Sequence, residues 1–339
     1  MNFSTQSPYC IAEVGLNHNG SISRAKEMIV AAKAAGANAV KFQTFKASEL
    51  CGDPDQTYSY KSAGETVTES MYDMFKRYEL PEYSWRELKD FADSNDIDFF
   101  STPQNLSDLN LLIPLSPPFI KVGSDDFTNL PLLRSYRACN IPLILSCGMS
   151  DIGEVHNALD VTGWYEGNDV SVLVCTSLYP TPSECVNIRR VSTLLSTFPG
   201  LKVGFSDHTI GSNAAVMAVA LGAQIFEKHF TLSNDLPGPD HTFSENPQSL
   251  KAWIDDINSA FSMLGSGLIK PALEELSNRK EFRRYLVASS HIKSGEKYTS
   301  TNVTMKRLSH GSGLPPIFFD YLQNNLSPHD YNPGDPIKL

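Results

Sequence analysis

Two histidines in the C-terminal half of the chain end short apolar segments, KVGFSDH at His208 and AQIFEKHF at His229. Side chains alternate between the two faces of a β-strand, so two such histidines on neighbouring strands can point the same way. Two imidazoles, with oxygen ligands from water and substrate, suit Mn²⁺ or a similar divalent ion. The sequence offers no obvious third protein ligand, which would leave coordination positions open for a substrate. We predict a shared metal site, the alternative being two satisfied core histidines.

Four charged residues lie inside apolar segments: Glu13 in IAEVG, Lys41 in AVKFQ, Lys121 in FIKVG and Glu227 in IFEKH. In each segment the charge falls on the strand face opposite the bulky apolar side chains. Structural salt bridges are one interpretation, but desolvating so many charges is a costly way to fill a core. We predict instead that these residues line one site with Gln43, where the two lysines neutralise a small anionic substrate.

Hydroxyl groups cluster at the ends of the same segments and could complete a cradle for a phosphate or carboxylate. These residues are Ser101, Thr102, Ser124, Ser146, Thr176, Ser177 and Ser206. His18, in the turn NHNG, is assigned at most a supporting role behind the site. Ser21, just after that turn, is predicted to cap the first helix.

The elements that must position these side chains are short strands separated by segments with helical spacing. Strand after helix, repeated eight times, is typical of a (β/α)8 TIM barrel, whose active sites lie at the carboxyl ends of the strands. A doubly wound open sheet is the alternative, but the G-x-G-x-x-G and G-x-x-x-x-G-K-[ST] phosphate loops are missing from the sequence. The predicted strands are 9–17, 38–45, 98–103, 119–124, 141–148, 170–176, 202–208 and 223–230.

The extent of the alternating strand and helix patterns predicts three regions. They are a barrel at 1–262, a polar helical linker at 263–284 and a small C-terminal domain at 285–339. The small domain has few residues with which to build a core, so we expect it to dock on a barrel. Residues 46–82 form the longest interval between a strand and its helix. An insertion at the active end of a barrel predicts a lid or rim loop.

Composition excludes several classes of protein. Of the 339 residues, 41% are apolar and 19% are charged. No apolar run approaches the length of roughly 20 residues that a membrane span needs. The net charge of −10 argues against nucleic acid or an anionic membrane as partner. The N-terminus lacks the pattern of a signal peptide, and six scattered cysteines favour reduced thiols. These features predict a cytoplasmic enzyme.

The motifs resemble those of the sialic acid synthase family, the N-acetylneuraminate synthases that make nonulosonic acids. The tail RRYLVASSHIKSGEKYTSTNVTMKRLSHG is similar to the antifreeze-like (SAF) domain of that family, and the resemblance covers nearly the whole chain in order. The matching barrel stretches are IAEVGLNHNG, VKFQTF, FFSTPQ, IKVGSDDFTNLPLL, LILSCGMS, CTSLYPTP, VGFSDHT, ALGAQIFEKHFTL and PGPDHTFS.

This resemblance implies that the chain condenses phosphoenolpyruvate with N-acetylmannosamine, with C–O cleavage and release of phosphate. It implies Mn²⁺ or Mg²⁺ at His208 and His229, and Glu13 with Asp126 as catalytic carboxylates, Glu13 being the general base. It also implies a homodimer in which the SAF domain of one subunit covers the partner's barrel and contributes Arg307. The sugar would contact Gln43, Tyr179 and Asp240. Phosphoenolpyruvate would contact Lys41, Lys121, Ser124, Ser146, Ser177 and Ser206.

Two departures leave the sugar open. Many members read GSGE where this chain has Gly-Ser-Asp-Asp ending at Asp126, and many have asparagine at the position of Ser177. The alternatives are N-acetylmannosamine, its 6-phosphate, or the 2,4-diacetamido-trideoxy hexose used to make legionaminic acid. A pseudaminic acid synthase is disfavoured by the first-strand motif. Another phosphoenolpyruvate-condensing barrel would not need the tail, and a non-catalytic glycan- or ice-binding protein would not need these charged residues.

Overall fold

The computed structural model describes residues 7–53, 55–309 and 312–338, and the chain divides into two compact units, one ending at Gly265 and one starting at Ser266. The larger unit is built around a sheet of eight parallel strands. Its strands, which include a separate hairpin, are β1 (Tyr9–Gly15), β2 (Ala39–Thr44), β3 (Thr57–Ser62), β4 (Glu65–Ser70), β5 (Asp98–Pro103), β6 (Ile120–Val122), β7 (Leu143–Ser146), β8 (Val170–Cys175), β9 (Lys202–Asp207) and β10 (Ile225–His229).

The parallel sheet has the strand order β5-β2-β1-β10-β9-β8-β7-β6. Strand β1 pairs with both β2 and β10, and the end strands β5 and β6 lie side by side, so the sheet is a nearly closed barrel. The predicted (β/α)8 TIM barrel is therefore confirmed, and each of the eight predicted strand segments contains one barrel strand.

Helices surround this barrel. Six of the ten helices described in this unit match segments predicted from helical spacing, whereas the helices Ala47–Leu50, Met71–Tyr78, Leu106–Leu112 and Pro247–Leu264 were not predicted. Ser21 caps α1 as expected. Its hydroxyl accepts a hydrogen bond of 3.2 Å from the backbone N–H of Arg24. The helices of this unit are α1 (Ile22–Ala35), α2 (Ala47–Leu50), α3 (Met71–Tyr78), α4 (Glu82–Ser94), α5 (Leu106–Leu112), α6 (Leu130–Ala138), α7 (Ile152–Val161), α8 (Arg190–Thr197), α9 (Asn213–Ala220) and α10 (Pro247–Leu264).

The barrel interior has an apolar lower layer and a polar upper layer. Residues i and i+2 of a strand point to the same face. Each apolar residue of the lower layer is therefore followed, two positions later, by another inward residue nearer the carboxyl end of the strand. Ile11 thus lies below Glu13, Ala39 below Lys41 and Ile225 below Glu227. The buried apolar layer is Ile11, Ala39, Phe100, Phe119, Ile144, Leu173 and Ile225.

The alternation predicted for β1 is wrong beyond Val14. The register of β1 against β2 shifts between Glu13 and Gly15, where Gly15 has a φ of +51°. This irregularity re-aims the following side chains. Strict alternation from Glu13 would place Leu16 under the helices and Asn17 inside the barrel. Leu16 lines the interior cavity instead, and Asn17 donates hydrogen bonds of 2.9 Å to the Phe230 carbonyl and the Ser244 hydroxyl.

The insertion at 46–82 is folded. It contains the helices α2 and α3 and the antiparallel hairpin β3–β4. Met74 and Tyr78 of α3 are buried against Leu16 and Phe45, which follow β1 and β2. The segment thus packs over the carboxyl ends of β1 and β2, at the rim where it was predicted.

The smaller unit has its own buried core. Its elements are α11 (Glu275–Phe282), β11 (Arg284–Ala288), β12 (Val303–Arg307) and α12 (Phe319–Leu322), with β11 and β12 antiparallel. Buried in that core are Leu286, Ala288, Ile292, Tyr298, Val303, Leu322, Tyr331 and Ile337. Across the described ranges, none of the helices has both the length and the apolar character of a membrane span.

Candidate active site

A cavity of about 540 Å³ opens among residues at the carboxyl ends of the barrel strands. Of the fourteen residues that the resemblance implies for the site, twelve line it. Asp126 does not, and Arg307 was predicted for a partner's cavity. Glu227 and Thr102, predicted from the strand pattern, line it as well, whereas Ser101 and Thr176 do not. The twelve are Glu13, Lys41, Gln43, Lys121, Ser124, Ser146, Ser177, Tyr179, Ser206, His208, His229 and Asp240.

The two predicted histidines lie next to each other in this cavity. Their ring centroids are 5.4 Å apart, because β9 and β10 are neighbours and both histidines end their strands on the inner face. Tyr179 stacks on His208 with a centroid distance of 4.1 Å, and Phe243 meets His229 edge-on at 5.3 Å. Aromatic packing therefore holds both imidazoles in place.

The nitrogen atoms of this pair fit a cation. Nδ1 of His208 lies 2.8 Å from the Thr176 carbonyl. That nitrogen therefore donates its proton, so Nε2 is the nitrogen available to a cation. Nδ1 of His229 is buried, has no hydrogen-bond partner among the described residues and lies 3.9 Å from a carboxylate oxygen of Asp240. Burial, and then the charge of His208, hold the pKa of His229 well below its ordinary value, so this imidazole is neutral, as a ligand must be.

The protonation of His208 and the number of protein ligands both affect how a cation could bind. Burial acts to lower the pKa of His208, but the Cys175 sulfur and the Thr176 carbonyl outweigh it, so a cation would displace a proton. No cluster of three or more histidine, cysteine, aspartate or glutamate side chains placed to bind a metal occurs in the described part of the chain. His208 and His229 could therefore contribute two nitrogen ligands, with water and substrate filling the remaining positions.

Beside the histidines lies a network of two lysines and two glutamates. Lys41 Nζ is 2.9 Å from Glu13 Oε1 and 3.7 Å from Glu227 Oε2. Lys121 Nζ is 3.8 Å from Glu227 Oε1 and donates a hydrogen bond of 2.7 Å to the Ser146 hydroxyl. One oxygen of each glutamate is buried without a hydrogen-bond partner within the described ranges. The network forms ion pairs, as the structural interpretation requires, but it also presents charged groups to an open cavity.

The environments of the two glutamates push their pKa values apart. Burial raises the pKa of Glu13 above its usual value, although Lys41 opposes this. Burial also acts on Glu227, but the charges of Lys121 and Lys41 outweigh it and its pKa falls below the usual value. Two carboxylates separated in this way can take different proton-transfer roles. Glu13, with its raised pKa, is the candidate for an acid–base group, and the lowered pKa of Glu227 favours its ionised form beside the two lysines.

The hydroxyl groups of Ser124, Ser146, Ser177 and Ser206 complete the wall beside Lys121. Ser124 accepts a hydrogen bond of 3.0 Å from the backbone N–H of Gly148, and Ser177 Oγ is buried without a partner in the part of the chain described. A Cβ at Gly148 would lie 2.4 Å from Ser177 Oγ, so glycine is required where these hydroxyls converge. Lysine and hydroxyl donors in a concave wall suit a phosphate or carboxylate.

Gln43 and Asp240 add polar groups to the same cavity. Gln43 Nε2 donates a hydrogen bond of 3.2 Å to Glu13 Oε1. Burial, together with the charge of Glu13, raises the pKa of Asp240 to about 7. Both side chains can therefore exchange hydrogen bonds with a polyhydroxyl substrate at neutral pH.

Three predicted site residues lie outside this cavity. Ser101 shares a hydrogen bond of 2.7 Å with the Thr44 hydroxyl, and Thr176 donates one of 3.2 Å to the Cys185 carbonyl. Asp126 is half-buried and accepts a hydrogen bond of 2.9 Å from Asn129, while Asp125 lines the cavity in its place. Both follow the end of β6, where the strand alternation no longer fixes direction. Arg307 is exposed in the smaller unit, where its Nε donates to the Phe282 carbonyl at 3.1 Å. His18 is buried outside the cavity lining and accepts from the Gly20 N–H, which agrees with a supporting role.

Sequence reasoning missed the apolar part of the cavity. The cavity also has an apolar wall, which we define as Leu16, Leu50, Met71, Met74 and Phe75. All but Leu16 come from the insertion at 46–82. The unusual length of that insertion is the sequence feature that could have indicated this wall. Gln104, after β5, also lines the cavity, and its Oε1 is buried with no partner in the described ranges.

A parallel barrel with acid–base, anion-binding and polar groups in one cavity at the carboxyl ends of its strands defines an enzyme of the TIM-barrel class. The model of the NeuB family matches residues 28–268. The chain is 38% identical to the N,N'-diacetyllegionaminic acid synthase of Legionella pneumophila, over 92% of this chain and 88% of that protein. It is 33% identical to the pseudaminic acid synthase of Campylobacter jejuni, over 99% and 97% respectively.

Among solved structures, the N-acetylneuraminic acid synthetase of Leptospira borgpetersenii, in complex with citrate, superposes with a TM-score of 0.73. That match has 29% identity and covers 81% of this chain and 90% of the other. The chain belongs to the NeuB family, and it is an enzyme of the nonulosonic acid synthase type.

Proposed function

We propose that this enzyme joins phosphoenolpyruvate to an N-acetylated amino-hexose and releases phosphate. The observation that carries the proposal is a single cavity that holds two kinds of binding group. Buried Lys41 and Lys121 with the serine hydroxyls suit the phosphate and carboxylate of phosphoenolpyruvate. Gln43, Tyr179 and Asp240 line the same cavity and suit a sugar.

In this reaction C3 of phosphoenolpyruvate attacks the aldehyde carbon of the open-chain sugar. A C–C bond forms, the π bond of the aldehyde breaks and its oxygen takes up a proton to become a hydroxyl. Water then adds at C2, Glu13 takes a proton from that water in exchange for the one that the aldehyde oxygen gained, and cleavage of the bond between C2 and the phosphate oxygen releases phosphate. Lys41 and Lys121 hold the charged end of phosphoenolpyruvate and stabilise the leaving phosphate. A divalent cation such as Mn²⁺ or Mg²⁺ at His208 and His229 would polarise the sugar aldehyde.

N-acetylmannosamine, giving N-acetylneuraminate, is the substrate implied by the sequence resemblance. One observation favours a second candidate, a 2,4-diacetamido-2,4,6-trideoxy hexose, because two of the relatives are named legionaminic acid synthases. Compared with N-acetylmannosamine, this sugar has a methyl group in place of the hydroxymethyl group and an acetamido group in place of one hydroxyl. The apolar wall offers methyl-sized contacts but few partners for hydroxyls, and unpaired hydroxyls lose binding energy.

A phosphate-release assay tests both candidates. With Mn²⁺ present, phosphate is expected only when an N-acetylated amino-hexose accompanies phosphoenolpyruvate. We expect kcat/KM for the trideoxy sugar to exceed that for N-acetylmannosamine by about 10-fold or more. Met71→Gln, which places an amide in the apolar wall, is expected to narrow this ratio. Phosphate release driven by arabinose 5-phosphate or erythrose 4-phosphate instead would refute the proposed function.

We also propose that the enzyme works as a homodimer, in which the smaller unit of one subunit brings Arg307 to the sugar in its partner's cavity. The exposed position of the Arg307 guanidinium supports this. Six cysteines without disulfide bonds support a cytoplasmic location.

Arg307→Ala is expected to raise KM for the sugar far more than KM for phosphoenolpyruvate, because the lost contact is to the sugar alone. Steady-state kinetics with each substrate varied in turn measure this. Mixing Arg307→Ala chains with inactive His229→Ala chains should restore about a quarter of the normal sites by forming mixed dimers. Equal changes in both KM values, or no restoration on mixing, would show that Arg307 does not serve a partner's site.

A further inference from the structure

The strands that carry the two histidines also share an ion pair on their opposite face. The tripeptides Ser-Asp-His in β9 and its extension, and Glu-Lys-His in β10, place their first and third side chains in the cavity. Their middle residues, Asp207 and Lys228, are register partners and point away from it. Lys228 Nζ lies 2.9 Å from Asp207 Oδ2, and both residues are 1% exposed.

This pair fixes the loop that follows His208. Lys228 also donates hydrogen bonds of 2.6 Å to the Thr209 carbonyl and 3.2 Å to the Gly211 carbonyl. Asp207 Oδ1 accepts from the backbone N–H and the hydroxyl of Thr209, at 2.9 Å and 2.7 Å. Asp207 Oδ2 also accepts a hydrogen bond of 3.1 Å from Trp253 Nε1 of α10. The backbone on both sides of His208 is therefore tied to one buried ammonium and carboxylate.

The same ammonium reaches the other histidine through Glu245. Glu245 Oε1 lies 3.6 Å from Lys228 Nζ, and the Glu245 backbone N–H donates a hydrogen bond of 2.8 Å to the His229 carbonyl. The backbone N–H of Thr231 in turn donates a hydrogen bond of 2.8 Å to the Glu245 carbonyl. One network thus holds the ends of β9 and β10 at the level of both imidazoles.

Stability alone is a weak reason to keep such a pair. Replacing a buried ion pair by apolar residues of similar size is often neutral or stabilising, whereas removing one partner leaves an unpaired buried charge. The cost is justified where the pair sets a geometry that apolar packing would leave looser. Here the geometry concerned is the separation and direction of two imidazoles whose centroids are 5.4 Å apart.

We propose that Asp207 and Lys228 are positioning residues that hold His208 and His229 in the arrangement required to bind one divalent cation. This inference rests on the proposed function only in taking those two histidines as the cation ligands. Neither residue touches substrate. Both act through the backbone next to each histidine.

The test is Mn²⁺ binding to the metal-free full-length chain, followed by the loss of the electron paramagnetic resonance signal of free Mn²⁺. Lys228→Met and Asp207→Asn are each expected to weaken Mn²⁺ binding by about 10- to 100-fold, as for other residues that orient metal ligands. Each single change is also expected to lower Tm, because it leaves one buried charge unpaired. Lys202→Met is the matched control. Lys202 lies at the start of β9, the end away from His208, and its Nζ is 2.8 Å from Asp169 Oδ1. Its replacement should leave Mn²⁺ binding unchanged.

The double variant Asp207→Asn with Lys228→Met separates positioning from stability. Both members of the buried pair are gone, and only the Glu245 carboxylate, which lies 3.6 Å from Lys228 Nζ in the parent, loses a partner. The Tm of the double variant is therefore expected to recover toward that of the parent chain, while its Mn²⁺ affinity stays about 10- to 100-fold weaker. A double variant that binds Mn²⁺ like the parent would overturn the inference, as would a parent chain that binds no Mn²⁺. Failure of the proposed function shows differently, as a chain that binds Mn²⁺ but releases no phosphate with any amino-hexose.

Discussion

Glu13→Gln is expected to lower kcat by about 10²- to 10⁴-fold, the usual range for loss of a general base. Glutamine keeps the size of the side chain but has no carboxylate to take the proton from water. Glu13 Oε1 lies 2.9 Å from Lys41 Nζ. Removing that negative charge leaves the cavity more positive, so KM for phosphoenolpyruvate is expected to stay level or fall. Rapid measurement of phosphate release at saturating concentrations of both substrates gives kcat directly.

The control for this change is Asp98→Asn, which converts an acid to an amide at the start of β5, the opposite end of the barrel from the cavity. It should leave kcat and both KM values unchanged. Glu13→Gln with normal kcat would show that another group accepts the proton. A large rise in KM for phosphoenolpyruvate would instead show that Glu13 serves mainly to hold Lys41 in place.

His229→Ala is expected to lower turnover by about three orders of magnitude, because one of only two proposed protein ligands to the cation is lost. The change removes a buried imidazole whose Nδ1 has no hydrogen-bond partner within the described residues, so the fold should survive with a small cavity. Turnover and circular dichroism are compared for the parent and the variant, each with Mn²⁺ and after chelation.

Chelation should reduce the parent to the level of His229→Ala and have no further effect on the variant. His156→Ala is a suitable control, since His156 is an exposed histidine on α7 whose Nδ1 lies 2.6 Å from the Tyr165 hydroxyl. A chelated parent enzyme that keeps full activity would remove the metal from the proposed mechanism. If the circular dichroism of His229→Ala shows a loss of helix, the more conservative substitution His229→Gln is used instead.

The site combines charges that a stable core would normally avoid. Four ionisable side chains, those of Glu13, Lys41, Lys121 and Glu227, are nearly inaccessible to solvent, and no single pair satisfies all of their atoms. Burial lowers the pKa of Lys121. An incoming phosphate or carboxylate would offset that effect. The unfavourable burial of this network is therefore relieved by an anion, which is consistent with a site that binds phosphoenolpyruvate.

The apolar lower layer of the barrel makes this arrangement possible. Ile11, Ala39 and Ile225 seal the interior directly below Glu13, Lys41 and Glu227. The charged residues line a cavity at the carboxyl ends of the strands, together with residues of the insertion. A low local dielectric strengthens every electrostatic contact with the substrate.

The sequence by itself determined the barrel and most of its site. Side chains on a strand repeat every two residues whatever surrounds them, so Lys41, Lys121, Ser206 and Glu227 could be placed inside from their spacing alone. The same period placed their apolar neighbours under the helices. The order of strands in a parallel barrel then brought His208 and His229 together.

Only the tertiary structure decided what lies beyond the regular strands. The irregularity at Gly15 turned Leu16 into the cavity, and the turn after β6 directed Asp125 inward in place of Asp126. The apolar wall depends on how a long insertion packs over strands far away in the chain. These features follow from long-range contacts that no local period encodes. The pairing of Asp207 with Lys228 belongs to the same class, because each charge gains its partner only when β9 and β10 come into register.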